Sequence, residues 1–515
     1  MNAKVIKVAS LFLAIAMMAC LFAACGKKQE ASGSIYVCGN CGYEATEQFT
    51  NCPECQTEAP DTTPEDGNNA TDGGDTSSKL SAGQQGGGKD EGKDEGGKKG
   101  KYTFAADPYS DIPASVKGST VDVLLWRDAQ KVDTALVEAF EKKTGIKVNL
   151  ITTPNNSAAY ATKLASLISS GDAPDVVNLG ASNFPAWAIT SLEPIDEEMF
   201  RLDDKFWNKN IMDQYKINGN YYGVSTAGSW YCDDTSYVTY YYPEKLKGMG
   251  ITTMPYDLYK AGKWNTDAVA SIARKVHEKG NTYKGVSIQT NTISNPYMLA
   301  AGADFVKYNG KEYTSNLSNS TVLKYQQMLA QWYQDGLVTG WDSTGLQNGT
   351  VGLFDAISYG MYIDAKWFTV VSDPSVIDCV PVAGNATPSN AKLWGVGKGA
   401  NNVEAGVYFI RFFIDPKSFD YTSFKSMKGT FEDDQMYAVW QDITSANKKH
   451  VENMAIGCLT YYDTSAYGNL TSKLSATTAA NIKTVLDEYG ATMKAACNKA
   501  NKYLGRAQKK PSYVK

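Results

Sequence analysis

Between residues 119 and 180 the chain switches repeatedly between two hydrophobic periods. In "STVDVLLW", Val121, Val123 and Leu125 recur at every second position, the pattern of a strand with one buried face. "KVDTALVEAFEKKTG" follows, with Val132, Leu136 and Phe140 four apart on one helical face and Gly145 placed to end the helix. "IKVNLI" is a second strand, "SAAYATKLASLISSG" a second helix and "PDVVNLG" a third strand. This alternation predicts a parallel sheet covered by helices. Ligands of such sheets sit beyond the carboxyl ends of the strands, which fall here at Trp126 to Asp128 and at Gly180 to Asn183.

Globular patterning continues from residue 118 to residue 515, more than a single core usually supports, since cores stop growing near about 250–300 residues. Two lobes are expected, one from about 118–225 and 395–445, the other from about 230–394 and 446–515. Upstream, residues 58–117 form a linker whose main stretch, from about Glu58 to Lys101, is rich in Gly, Asp and Lys and poor in large apolar side chains. It cannot bury enough surface to offset its ordering entropy, so a disordered tether is expected, about 45 residues of it spanning roughly 35–40 Å.

The first 24 residues have basic Lys4 and Lys7, a short apolar run and small residues before Cys25, which is the form of a secretory signal. "FAAC" before "GKK" resembles the lipobox of bacterial lipoproteins, with Phe22 where leucine is usual, and this implies lipidation of Cys25 at the head of a short segment, 25–34. Two acyl chains on one thiol would hold the protein stably on a membrane.

A family resemblance is carried by several segments in order. "LLWRD", "LVEAFEKKTGIKVNLI", "GDAPDVVNLG" and "NGNYYGVSTAGSW" resemble the opening of extracellular solute-binding proteins of bacterial ABC importers, in the family 1 group that mostly takes sugars. "PYDLYKAGKWNTDAVASIARKV", "FDAISYGMYIDAKWF" and "LWGVGKGANNVEAGVYFIRFFID" continue the likeness to about residue 420. Ile357 stands where the family usually has glycine, Asp364 lies near its second glycine, and "SWYCDDTSYV" reads as an insertion. The resemblance implies an α/β, two-lobed periplasmic-binding-protein-like (type II) fold, preceded by a small metal ribbon and the linker. Its hinge would be crossed near residues 223–230, 394–399 and 440–450. It also implies a monomer that closes on a carbohydrate, an oligosaccharide for preference, and presents it to the transmembrane subunits of an ABC permease.

Sugars present hydroxyl rims and apolar C–H faces, so their sites need flat aromatic rings beside paired polar groups. Aromatic residues near the predicted strand ends are Trp126, Trp230, Tyr231, Tyr297, Trp367 and Trp394. Trp367 aligns with the family's stacking tryptophan. Polar candidates beside them are Asp128, Asn183 and Asp364, with Arg127, Asp233, Asp234 and Asn295 as further possibilities. Trp264, Trp332 and Trp440 read instead as core. Glycosidase chemistry would need a specific carboxylate pair; nothing marks one, and a binder rather than an enzyme is expected. A net charge of −5 argues against nucleic acid as partner, and two histidines leave little room for histidine-based catalysis.

Near the amino terminus, "YVCGNCGYEATEQFTNCPEC" places Cys38, Cys41, Cys52 and Cys55 as two CxxC knuckles within the segment 35–57. Two such turns can grip one metal tetrahedrally, and the stretch looks like the zinc-ribbon and rubredoxin group. Zinc is expected, with iron possible and two disulfides the bland alternative. With a ribbon this conspicuous, two other readings of the whole chain stand beside import: a surface metal or redox lipoprotein, and a ligand sensor on the same scaffold. Cys232, Cys379, Cys458 and Cys497 are scattered singly, and spacing alone assigns them no pairing.

Overall fold

The computed structural model describes residues 36–37, 44–45, 109–110, 112–154, 157–180, 183–233, 236–288, 295–358, 376–418, 434–455 and 464–514. Two short strands, β1 (Tyr36–Val37) and β2 (Glu44–Ala45), pair antiparallel, with Tyr36 opposite Ala45. The cysteines of the two knuckles, Cys25 and the main stretch of the linker lie outside the described residues.

The first lobe follows the pattern read from sequence. Strands β3 (Thr120–Leu125) and β4 (Lys147–Thr152) pair in parallel along their whole length. Helix α1 (Lys131–Thr144) connects them, burying Val132, Leu136 and Phe140, and ends at Gly145 in the left-handed conformation (φ 75°). Helix α2 (Ser157–Ser170) leads to β5 (Val177–Gly180), joined to β3 by Leu124 N donating to Val176 O at 2.9 Å and Val176 N donating to Asp122 O at 3.0 Å. A short β6 (Leu192–Glu193) lies at the far edge.

The second lobe is built on five strands: β7 (Tyr237–Tyr241), β8 (Lys284–Ile288), β11 (Val338–Thr339), β12 (Val351–Ser358) and β13 (Asp378–Pro381). Their order is β11-β8-β12-β7-β13, with β8 parallel to both neighbours and β7 antiparallel to both of its own. Helix α3 (Thr266–His277), capped by the Asn265 side chain accepting from Ala268 N, lies directly on this sheet. A Cβ on Gly285 would come within 2.2 Å of Ala273 Cβ, so glycine sets that approach. Helix α4 (Pro296–Ala300) precedes a hairpin of β9 (Val306–Tyr308) and β10 (Tyr313–Ser315), and helix α5 (Ser320–Gln334) follows it. Trp264, Trp332 and Trp440 are buried, and Trp264 Nε1 donates to Pro381 O at 2.8 Å.

The lobes meet where short segments run side by side. Strand β14 (Thr387–Ser389) pairs in parallel with β16 (His450–Glu452), and Ser389 also bridges Ser236, just before β7. Strand β15 (Lys392–Gly397) then enters the first-lobe sheet antiparallel to β5 and β6, giving the order β4-β3-β5-β15-β6. Two passages therefore lie a few residues from the positions implied by the resemblance: between Val224 and Tyr237, and at 387–391 rather than 394–399. Helix α6 (Val403–Ile414) covers the first-lobe sheet, Phe409 meeting Phe140 edge-on at 5.3 Å. Helix α7 (Asp434–Ile443) instead reaches second-lobe residues, with Gln435 donating to Tyr241 Oη at 3.1 Å.

At the junction, Glu452 accepts from the Ser389 hydroxyl, from Ala391 N at 2.8 Å and from Tyr215 Oη at 2.7 Å. Helices α8 (Thr464–Ser475) and α9 (Gly490–Leu504) complete the chain. The last residues return to the first lobe, where Gln508 and Ser512 donate to the buried Glu193 carboxylate, so the carboxyl-terminal segment does not belong to the second lobe alone. Cys232, Cys379 and Cys497 are buried thiols, and Cys458 lies outside the described residues.

Asp355, on β12, is fully buried and accepts from the hydroxyls of Thr239 and Tyr297. Burial pushes its carboxyl up to about 6 despite those donors. A raised folded value stabilises the fold below the unfolded carboxylate range and loses that contribution as pH rises through about 6. His450 acts in the opposite sense, since burial lowers its imidazole to about 4. The prediction therefore concerns the difference between a variant and the parent chain. Asp355→Asn keeps both hydroxyls satisfied and should exceed the parent stability at pH 8, on the order of 1–3 kcal/mol, with the advantage shrinking toward pH 4. Thermal unfolding of both proteins across that range checks it; a pH-independent difference would remove Asp355 as the cause.

Candidate functional site

The strand-end rim of the first lobe forms because β3 ends in a turn that is held from beneath. Asp133, fully buried in the first turn of α1, accepts from Arg127 Nη1 at 2.5 Å and Nη2 at 3.1 Å, and from Gln130 N at 2.7 Å. Tyr231 Oη donates to the same carboxylate at 2.6 Å from a one-turn helix, Trp230–Asp233, 98 residues away in sequence. The turn carrying Trp126, Arg127 and Asp128 is thereby fixed to the segment that leads toward the second lobe. Trp126 is half-buried, with Lys392 Nζ 4.9 Å from its ring centroid, so one face of the indole carries an ammonium group. Asp128 is exposed.

Beside this turn, β5 ends at Gly180. A Cβ there would sit 3.5 Å from Asn390 Oδ1 and 3.8 Å from Asn183 Oδ1, so two carboxamides converge at the strand end. Lys392 opens β15 directly opposite Gly180. The structure thus brings Trp126, Asp128 and Asn183 to one rim, as expected, and adds Asn390 and Lys392. These two escaped the sequence reading because β15 is antiparallel: its amino end, not its carboxyl end, lies at the rim.

Three other expected contacts are engaged elsewhere. Tyr231 is 6 % exposed, its ring 4.0 Å from Phe413 and its hydroxyl on Asp133. Trp394 is 3 % exposed, packed edge-on against Phe413 at 5.2 Å, with Nε1 donating to Tyr231 O at 3.2 Å. Tyr297 is fully buried against Trp332 in the second lobe. None of these rings has a face open to a ligand in this structure. Asn295, also fully buried, caps α4 by accepting from Met298 N at 3.1 Å. The misplacement has a shared cause, since residues beside a sheet covered on its other face are buried twice over. Trp230 opens its short helix, and its side chain lies outside the described residues, as do those of Asp233 and Asp364, together with Asp234 and Trp367.

At the carboxyl edge of the second-lobe sheet stands a residue the sequence reading passed over. Trp341 follows β11 by two positions and is 44 % exposed, resting edge-on against Phe354 at 5.0 Å. The buried Ser287 hydroxyl pins its turn, donating to Gly340 O at 2.7 Å and accepting from Asp342 N at 3.0 Å. The signal was present in "LVTGWD", an indole just past a strand, but a strand of two residues is too short to show alternation. Next to it, the pairing of β12 with β7 slips between Asp355 and Ile357, a bulge just before the carboxyl end of the strand.

The model of the bacterial extracellular solute-binding protein family matches residues 126–418. The chain belongs to this family. Its members work by binding rather than turnover, and this chain is a binding protein, not an enzyme. Solved structures share the two-lobed fold at low identity. The sugar-binding protein MalE from Xanthomonas citri has 14% identity and a TM-score of 0.52, with 75% of this chain and 98% of that one covered. The galacto-N-biose/lacto-N-biose I-binding protein of an ABC transporter from Bifidobacterium longum, solved with lacto-N-biose, has 14% identity and 0.54, covering 77% and 99%. UgpB from Mycobacterium tuberculosis, solved with glycerophosphocholine, has 12% and 0.53, covering 74% and 98%. Comparison with curated proteins gave no match. Among the described residues, no helix of this solute-binding protein is long and apolar enough to cross a membrane.

If Tyr231 serves the rim through Asp133 rather than by touching ligand, Tyr231→Phe should destabilise the fold by about 1.5–3 kcal/mol, the usual worth of a hydrogen bond to a charged group. Urea unfolding measures this. Unchanged stability with weakened ligand binding would return Tyr231 to the ligand surface.

Proposed function

We propose that this protein is the membrane-anchored, extracellular solute-binding subunit of an ABC importer, and that it captures a carbohydrate, preferably an oligosaccharide, between its lobes for delivery to the permease. The observation that carries the reading is the pairing of indoles with carboxamides at strand ends: Trp126 beside Asn183 and Asn390 on the first lobe, and the half-exposed Trp341 on the second. Rings of this kind cover the C–H faces of a sugar, and carboxamides offer both a donor and an acceptor to its hydroxyls. Two of the three structures named above belong to proteins described as binding sugars, which supports the same ligand class. Trp367, by family resemblance, and Asp364, as a polar candidate near it, complete the proposed site, and Cys25 is the proposed lipid attachment.

A panel of neutral mono- and oligosaccharides, with glycerophosphocholine as comparator, should raise the melting temperature by mass action. Trp126→Ala, Trp341→Ala and Trp367→Ala should each weaken the best sugar by about 1 kcal/mol, roughly fivefold, without loss of fold. A response to glycerophosphocholine alone would overturn the carbohydrate reading. Indole variants with parental affinity would remove those residues from the site.

The four knuckle cysteines are proposed to hold one zinc ion. The antiparallel pairing of β1 with β2 supports this, because it brackets a six-residue connection that contains Cys38 and Cys41. With so few residues, the ribbon has little apolar surface to fold on without a metal. Native mass spectrometry of the reduced full chain should show one bound zinc, and Cys38→Ser with Cys52→Ser should abolish it. Two disulfides and no metal would refute the proposal, and iron would transfer it to the redox reading.

A further inference from the structure

Helices α5 and α8 enclose a groove of about 390 Å³, at the small end of the roughly 300–1,000 Å³ that ligand pockets occupy. None of its lining residues belongs to the strand-end turns described above. A glycine, Gly468, lies inside α8, fifth of twelve residues. Glycine destabilises a helix interior relative to alanine, so its presence calls for a reason. The backbone supplies none, since Gly468 is absent from the positive-φ positions, and neither does packing, since a Cβ there would meet no atom within 4 Å. Gly345, inside the helix Ser343–Asn348, does have such a reason, since a Cβ there would reach 2.4 Å from Asp342 Oδ2. What Gly468 does is leave the groove open.

The groove's polar groups point to its occupant. Gln326 is 96 % buried and lines the groove; its Nε2 donates to Met298 Sδ at 3.5 Å, while its carbonyl oxygen has no hydrogen-bond partner among the described residues. The Tyr333 and Ser472 hydroxyls are also on the lining, the first half-buried and the second exposed to water. Tyr333 and Tyr467 put rings on the lining together with Leu329 and Leu474, and among the described residues no lining side chain is charged. A buried carboxamide is costly to leave short of partners, and an acceptor and donors beside rings match a neutral ring bearing hydroxyls.

We propose that this groove is a second binding site, separate from the interlobe cleft, for a neutral hydroxylated ring of pyranose size. The test is calorimetric titration of the full chain, and of Gly468→Leu and Gly468→Ala, with methyl glucopyranoside and methyl galactopyranoside, using glucuronate as a charged comparator. Both substitutions raise helix propensity, so both variants should fold. Leucine fills the groove, whereas alanine adds one methyl group. The expected result is a binding event for a neutral glycoside that Gly468→Ala retains and Gly468→Leu weakens at least tenfold, with glucuronate giving none. If no event separates the two variants, or if glucuronate binds equally well, the proposal fails. Trp126→Ala keeps this outcome distinct from the cleft, because it should leave the groove event unchanged whether or not the cleft takes sugar.

Discussion

A carboxylate withdrawn from water must be met by several hydrogen-bond donors, and this chain uses that requirement to join segments far apart in sequence. Asp133 collects the guanidinium of Arg127, a backbone amide and the Tyr231 hydroxyl, and so locks the turn after β3 to the start of the passage between lobes. Glu452 does the same at the junction, drawing together β14, β16 and Tyr215 of the first lobe. Glu193 receives Gln508 and Ser512 and holds the carboxyl-terminal residues against the first lobe. Each carboxylate is a joint between distant parts of the chain, and the rim that carries Trp126 depends on the first of them.

This arrangement gives each lobe a firm surface at its strand ends. The rim residues stand on turns whose backbones are already satisfied by buried side chains, Asp133 below Trp126 and Ser287 below Trp341. Side chains held this way lose little further freedom when a ligand arrives, which is how a site gains affinity from few contacts. The junction pairs strands of three residues, with the bridge between Ser389 and Ser236 and the hydrogen bonds that Glu452 accepts beside them. Segments that short can absorb a change of angle between lobes while the sheets on either side keep their register.

The cleft and the groove between α5 and α8 differ in their chemistry. The cleft rim carries charge, with Lys392 over Trp126 and Asp128 exposed nearby, whereas the described residues that line the groove are uncharged. In the groove the informative residue is the missing side chain of Gly468. A position that weakens its own helix without easing any backbone or packing constraint is read best from what it leaves empty.

Local patterns carried much of the fold. The alternation in β3, the fourfold spacing in α1 and the glycine after it all appear in the structure as written, because a strand or helix with one buried face must repeat at its own period. The rim residues at the ends of those strands, Trp126, Asp128 and Asn183, were legible for the same reason. Tyr231, Tyr297 and Trp394 were not, because an aromatic ring at a strand end is the same letter whether it meets solvent or the second face of a covered sheet. Only the packing of α6 over β15, and of Trp332 against Tyr297, decided that these rings are interior. Asn390, Lys392 and Trp341 took their places through strand direction, register and the pinning of one turn, which are contacts between residues tens to hundreds of positions apart. Periodicity is a property of neighbours along the chain and can be read there; exposure at a site is set by whatever folds over it, and that is written only in three dimensions.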